Sequence, residues 1–414
     1  MNLLALIIVI SLFLLWNLEL IATLLNLKSF PSTPPPELEG LMDQEKLDKA
    51  RSYLTVNSRF DIVRSSVSLA ILLVFWFAGG FPYLDNLARS ISGNEILAGL
   101  IFLGALFVAQ NLISLPFDWY ETFVIEEQFG FNKSTLKTFI ADRIKGLTLA
   151  AVLGLPLAAG ILWIFNEVPH AWLWAWAFVT AFQLILTYLA PSLILPLFNK
   201  FTPMPDGKLK DAIHALGVKC GFPLEGVYEI DGSKRSTKAN AYFTGFGKHK
   251  KIALFDTLTE KSTQPELLAI LAHEIGHFKL GHIKQRLVVG ILQMAFIFFL
   301  IGLATNPTGA FARQLHDAFG VVEISRHAGL VFFTILLEPA SKLLSILAHA
   351  WSRKHEFEAD AYAAQSTGTP EALASSLKKL SSDHLSHPAP HKLRIVLDYS
   401  HPPLLQRLRA LQGH

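Results

Sequence analysis

The chain has 414 residues, 51% hydrophobic and only 17% charged, with a formal net charge of +3 and a positive mean hydropathy. A soluble domain carries about 25% charged residues, so this balance is a membrane protein's, and a charge so small, with no basic tract, speaks against nucleic acid. One cysteine, Cys220, excludes an internal disulfide framework and any cysteine-based zinc site.

A membrane span needs about 20 mainly apolar residues. The first is predicted at residues 3–25, interrupted by Glu19; it lacks the basic start and small-residue cleavage site of a signal peptide. A proline-rich break at residues 31–36 and a polar helix near 43–53 follow. Further spans are expected at about residues 66–83, 96–117, 146–165 and 171–197, the last blurred at its end by Pro191 and Pro196. After a long polar region come a sixth span near 287–305 and a seventh near 328–350. The expected organisation is a five-helix membrane domain over 1–198, a polar segment over 199–286, two more membrane helices over 287–350, and a soluble end over 351–414.

Lys and Arg in the connecting loops set the orientation. Six follow the first span (Lys28, Lys46, Lys49, Arg51, Arg59, Arg64) and four the third (Lys133, Lys137, Arg143, Lys145). The loops after spans two, four and six carry one (Arg89), none and two (Arg313, Arg326). The basic loops alternate with the spans, so the N-terminus is expected outside and the long polar region in the cytoplasm.

That region holds His273-Glu274-Ile275-Gly276-His277. On a helix, residues i and i+4 share a face, so His273 and His277 can reach one ion, with Glu274 placed to take a proton from a water the ion activates. Pro265 and Glu266 suit a helix's first turn. Three β-rich stretches precede this helix, at residues 227–230, 241–246 and 250–255, with a turn expected at Gly247-Lys248-His249. An edge strand of such a sheet could pair with an extended substrate backbone.

A catalytic zinc takes three protein ligands plus water. Leu280 and Ile283 stand where a metzincin would have Gly and His. His282 falls half a turn out of phase, with Gly281 ending the helix before it. The better third ligand lies beyond the seventh span, where Glu356 and Asp360 share a helix face and Glu358 lies on another. Glu356 can bind the metal while Asp360 accepts the second N–H of a ligand histidine. In the seventh span, Glu338 and Lys342 are expected to form an i, i+4 ion pair facing the protein interior rather than lipid.

With these motifs and the stretches 120–133, 240–246, 254–258 and 400–408, the chain resembles the type I CAAX prenyl protease family over nearly its whole length, as a bacterial member. The fold class is then an all-α multi-span membrane protein with seven transmembrane helices around an intramembrane chamber, carrying a small α+β zinc protease domain of the gluzincin type. The resemblance implies one Zn2+ per chain on His273, His277 and Glu356, with Glu274 as general base and acid. It implies that Asn240 and Ala241 bind substrate backbone, that His401 stabilises the oxyanion, and that Arg407 supports that site. The expected substrate is a peptide or protein, prenylated or not, and the chain a monomer in a bacterial inner membrane rather than the endoplasmic reticulum. Two other readings are a quality-control peptidase of the HtpX-like kind, whose chains are shorter with fewer spans, and a transporter or channel with an inactive zinc site.

Overall fold

The structure, a computed structural model, describes residues 2–222, 224–244 and 250–413. The turn expected at Gly247–His249 and the end of the strand expected to reach Phe246 lie outside them.

In chain order the helices are α1 (Leu3–Lys28), α2 (Gln44–Phe77), α3 (Gly80–Ile91), α4 (Glu95–Tyr120), α5 (Leu136–Glu167), α6 (Ala171–Leu189), α7 (Leu195–Phe198) and α8 (Lys208–Lys219). There follow α9 (Asp256–Lys261), α10 (Gln264–Lys279), α11 (His282–Ala304), α12 (Ala310–Ala318) and α13 (Arg326–Thr367). The last are α14 (Pro370–Asp383), α15 (Lys392–Asp398) and α16 (Leu404–Leu411). The strands are β1 (Phe201–Pro203), β2 (Leu224–Ile230), β3 (Ala241–Thr244) and β4 (Lys250–Phe255).

Seven helices among the described residues are long and apolar enough to cross a membrane: α1, α2, α4, α5, α6, α11 and α13. Side-chain oxygens of Asn2, Asp43, Asn94, Thr135 and Ser325 cap five of them by accepting first-turn N–H groups. The polar helix near 43–53 and the second span are one unbroken helix, α2. It stops short of Tyr83 because Gly79 adopts a left-handed conformation, φ 78°, and the chain restarts as α3. Past α6 the backbone widens into a π turn at Ala190–Ile194, where Pro191 can donate no hydrogen bond. A second π turn, Glu121–Glu126, prolongs α4.

The polar region forms a four-stranded sheet in the order β1-β2-β4-β3, with β2 and β4 parallel and the other pairs antiparallel. The three expected strands are present where described. Three-residue β1, ending on Pro203 at the sheet edge, was too short to stand out in the sequence. Ala241 of β3 pairs with Leu254, and among the described residues the outer edge of β3 has no strand partner.

One core, built from residues such as Phe222, Ile252, Leu254, Leu271 and Ile275, joins the sheet to α10 and α13. A second lies at the opposite end of the helices, where Trp76, Phe319 and Phe332 stack at ring separations of 4.2 and 4.1 Å. Helix α13 runs 42 residues and passes position 350 without a break, so the seventh span continues directly into the stretch bearing Glu356.

Candidate active site

Helix α10 opens with a full capping box. Thr263 and Glu266 bond each other's backbone N–H groups, and Pro265 stands in the first turn. Its buried face includes Leu267, Leu271, Ala272 and Ile275, which fixes how His273 and His277 point. Gly276 brings α10 close to α13. A Cβ there would stand 3.1 Å from the Tyr362 ring and 3.3 Å from the Ala359 Cα.

This approach brings Glu356 to both histidines. His273 Nε2 lies 3.4 Å from Glu356 Oε2, His277 Nε2 lies 3.3 Å from Glu356 Oε1, and the two Nε2 atoms are 3.2 Å apart. Donors held at about 2.0–2.1 Å around a tetrahedral zinc stand about 3.3–3.4 Å from one another. Glu356 Oε2 is buried with no hydrogen-bond donor on it among the described residues, which suits a cation between these groups. The set therefore fits a divalent metal by donor chemistry and spacing.

Behind the set, Asp360 Oδ1 stands 2.8 Å from His273 Nδ1. Arg407 grips Asp360 through two hydrogen bonds, Nε to Oδ2 at 2.8 Å and Nη2 to Oδ1 at 2.6 Å. Burial alone would keep His273 neutral, but Asp360 and Glu356 outweigh it and lift the histidine to about 9. Burial likewise raises the Glu274 carboxyl above the ordinary carboxylate range, with the neighbouring histidines opposing. Such a carboxyl is suited to moving protons.

A cavity of about 540 Å³ opens on this cluster. Asn240 and Ala241 line it at the start of edge strand β3, facing His273, Glu274, His401 and Arg407. His401 Nε2 is 3.5 Å from Glu356 Oε1, and Ser400 Oγ lies 2.9 Å from His401 Nδ1. Of the nine site residues expected from the sequence, seven line this cavity, and Asp360 and His277 stand just behind it, against His273 and Glu356. Arg407 lines the cavity while its guanidinium bonds Asp360.

The sequence reading missed His384 and set His282 and Glu358 aside. His384 accepts the Ala239 N–H at 3.1 Å and holds the lead-in to β3. His282 sits behind the metal set, its Nδ1 3.0 Å from His277 Nδ1, and Glu358 lies behind His282 in turn. Gly281, φ 75°, ends α10 as the sequence led one to expect, and the turn it makes puts His282 there. The expected Glu338–Lys342 pair is corrected. Lys342 bonds Glu19 of α1 and Asp398 of α15 instead, two carboxylates from elements packed against α13.

A His-Glu-x-x-His helix and a glutamate-bearing helix, joined on a seven-helix membrane scaffold, define a membrane metalloendopeptidase. Residues 23–200 match the family described as CAAX prenyl protease N-terminal, five membrane helices, and residues 203–414 match Peptidase family M48. A CAAX prenyl protease 1 homolog of Arabidopsis thaliana is 37% identical over 401 residues, covering 94% of this chain and 92% of its own. CAAX prenyl protease 1 of Saccharomyces cerevisiae is 37% identical over 399 residues, covering 91% and 88%. The crystal structure of S. mikatae Ste24p superposes with a TM-score of 0.90 at 36% identity, over 99% of each chain. The chain belongs to peptidase family M48, a family of metallopeptidases whose members act on peptide bonds.

Proposed function

We propose that this chain is a zinc endopeptidase, one Zn2+ per monomer, which cleaves near the C-terminus of CAAX-type prenylated proteins or similar membrane-associated substrates. The observation that carries this reading is convergence. His273, Glu356, Glu274 and the start of β3 border one cavity, and His277 completes the metal set just behind it. The curated relatives are named for CAAX substrates, which supports the substrate class.

His273, His277 and Glu356 would hold the zinc, which would supply Lewis acidity to acidify a water and polarise the scissile carbonyl. The substrate backbone lies as an added strand along β3, guided by Asn240 and Ala241. Glu274 takes the proton of the attacking water and passes it to the leaving amine. His401 offers an N–H where negative charge grows on the carbonyl oxygen, a contribution of about 3 kcal/mol in comparable sites. Asp360, clamped by Arg407, holds the His273 ring in register with the metal.

In this reading the site faces the cytoplasm, the seven helices enclose a chamber that admits the substrate, and the membrane is a bacterial inner membrane. The low burial of the spans, at most 17% of each most apolar window, is in keeping with helices that border lipid on one side and open space on the other. Mass spectrometry of products from matched farnesylated and unfarnesylated peptides tests the proposal. Chelator-sensitive cleavage near the C-terminus of the farnesylated peptide is expected. Equal cleavage of both peptides would replace the CAAX role with a general one, and cleavage of neither would overturn the reading.

A further inference from the structure

We propose that Glu358 and His282 form a proton-fixing relay behind His277, which holds that ring in the one tautomer able to bind the metal. The inference rests on the metal reading above.

The geometry is a line of hydrogen bonds. His277 Nδ1 lies 3.0 Å from His282 Nδ1, and His282 Nε2 lies 3.0 Å from Glu358 Oε2. A neutral imidazole has one N–H and one lone pair. His277 turns Nε2 toward Glu356 and His273, so as a ligand it carries its proton on Nδ1. Two N–H groups cannot face each other at 3.0 Å, so His282 must present its Nδ1 lone pair. Its own proton then sits on Nε2, where the Glu358 carboxylate accepts it. Each assignment forces the next, and the line ends on a carboxylate that needs no proton of its own.

The surroundings hold this line in place. His282 is 2% exposed, and the His355 ring stacks on it at 3.9 Å with the planes 6° apart. Glu358 is 42% exposed, so the line runs from the buried metal set out to solvent. None of His277, His282 and Glu358 lines the cavity, so the relay approaches the metal from the side away from the substrate.

His282, His355 and Glu358 also form a compact His/His/Glu group that could itself be read as a second metal site. Proton bookkeeping argues against that. Were His282 Nε2 to bind an ion, its proton would move to Nδ1 and meet the His277 N–H. The parallel rings also send the in-plane lone pairs of His282 and His355 side by side rather than toward one point. The buried Nδ1 of His355, which has no hydrogen-bond partner among the described residues, is the one feature a second ion would satisfy, so the test counts metal as well.

The experiment measures zinc stoichiometry and zinc affinity, by chelator competition, on the full-length chain. Outer partners of ligand histidines commonly change metal affinity by about 10–100-fold. Glu358→Met, which has no acceptor, should weaken zinc binding by about 10-fold or more, and Glu358→Gln, which keeps a neutral acceptor, should fall between it and wild type. His282→Phe should weaken zinc binding at least as much, and adding Glu358→Met to it should change nothing further, because the line is already cut. Lys354→Gln removes the other partner of Glu358, 3.7 Å away, and should leave affinity unchanged. Should His282→Phe fail to fold, the half-exposed Glu358 series decides alone. Wild-type affinity in Glu358→Met, or additive losses in the double variant, would overturn the relay. So would two zinc ions per wild-type chain, with one lost in His355→Phe. A wild-type chain that binds no zinc would instead overturn the metal reading itself.

Discussion

Asp360 is nearly fully buried, and its charge is answered by the Arg407 guanidinium on one side and His273 on the other. Removing one member of such a pair leaves a bare charge in a medium that cannot solvate it, a loss of about 3–5 kcal/mol. Arg407→Met should therefore lower the melting temperature in detergent sharply and reduce zinc retention with it. Arg407→Lys should recover little of either, since an ammonium cannot make the two parallel bonds to Oδ1 and Oδ2. A stable Arg407→Met variant with full zinc would count against this picture. At this scale the sequence was most legible where spacing carries information. His273 with His277, and Glu356 with Asp360, are each four apart on one helix, and one-face geometry follows without tertiary knowledge. It was least legible where partners meet across the chain. Arg407 and Asp360 are 47 residues apart, and Glu358 finds His282 at a separation of 76.

Helix α10 is anchored at its start by Glu266. This carboxylate accepts bonds from the Thr263 backbone and hydroxyl and from Ser375 and Lys379 of α14. Burial pushes its pKa up, but these bonds outweigh burial and hold it at about 2. A carboxyl whose pKa is lower folded than unfolded stabilises the fold above its unfolded value. That contribution fades as pH falls from about 4.5 toward 2. Glu266→Gln should cost about 1–3 kcal/mol at neutral pH and flatten the stability profile across that window, as read by chemical unfolding. An unchanged acid limb would exclude Glu266 as its source. Pro265 and Glu266 announced the helix start in the sequence; the tie to α14 did not show, because nothing local distinguishes Ser375 and Lys379 from any polar helix face.

At the scale of the molecule, the protease half is fastened to the membrane half at the segment leading into β3. Arg235 bonds both oxygens of Asp142 on α5 and the Phe198 carbonyl, and Lys238 reaches Glu126 in the π turn after α4. The backbones of Lys133 and Arg235 bond as well. The strand edge proposed to hold substrate is thus positioned by membrane helices. Freeing it with Arg235→Ala should lower cleavage by about tenfold with zinc content unchanged, since misplacing a reactant by about 1 Å can cost still more. Hydropathy alone gave all seven spans, because each spans enough apolar residues. It could not give the ties between spans and protease elements, such as Lys342 with Glu19 and Asp398, since charges within apolar runs disclose their partners only once the helices pack. The metal set and Glu274, the group that moves the proton, have separable functions, and one measurement tells them apart. Purified Glu274→Gln should keep one zinc per chain, because Glu274 is not among the three ligands, while peptide cleavage falls by about 10²–10⁴-fold. A Glu274→Gln chain that cleaves near the wild-type rate, or that loses its zinc, would contradict the account.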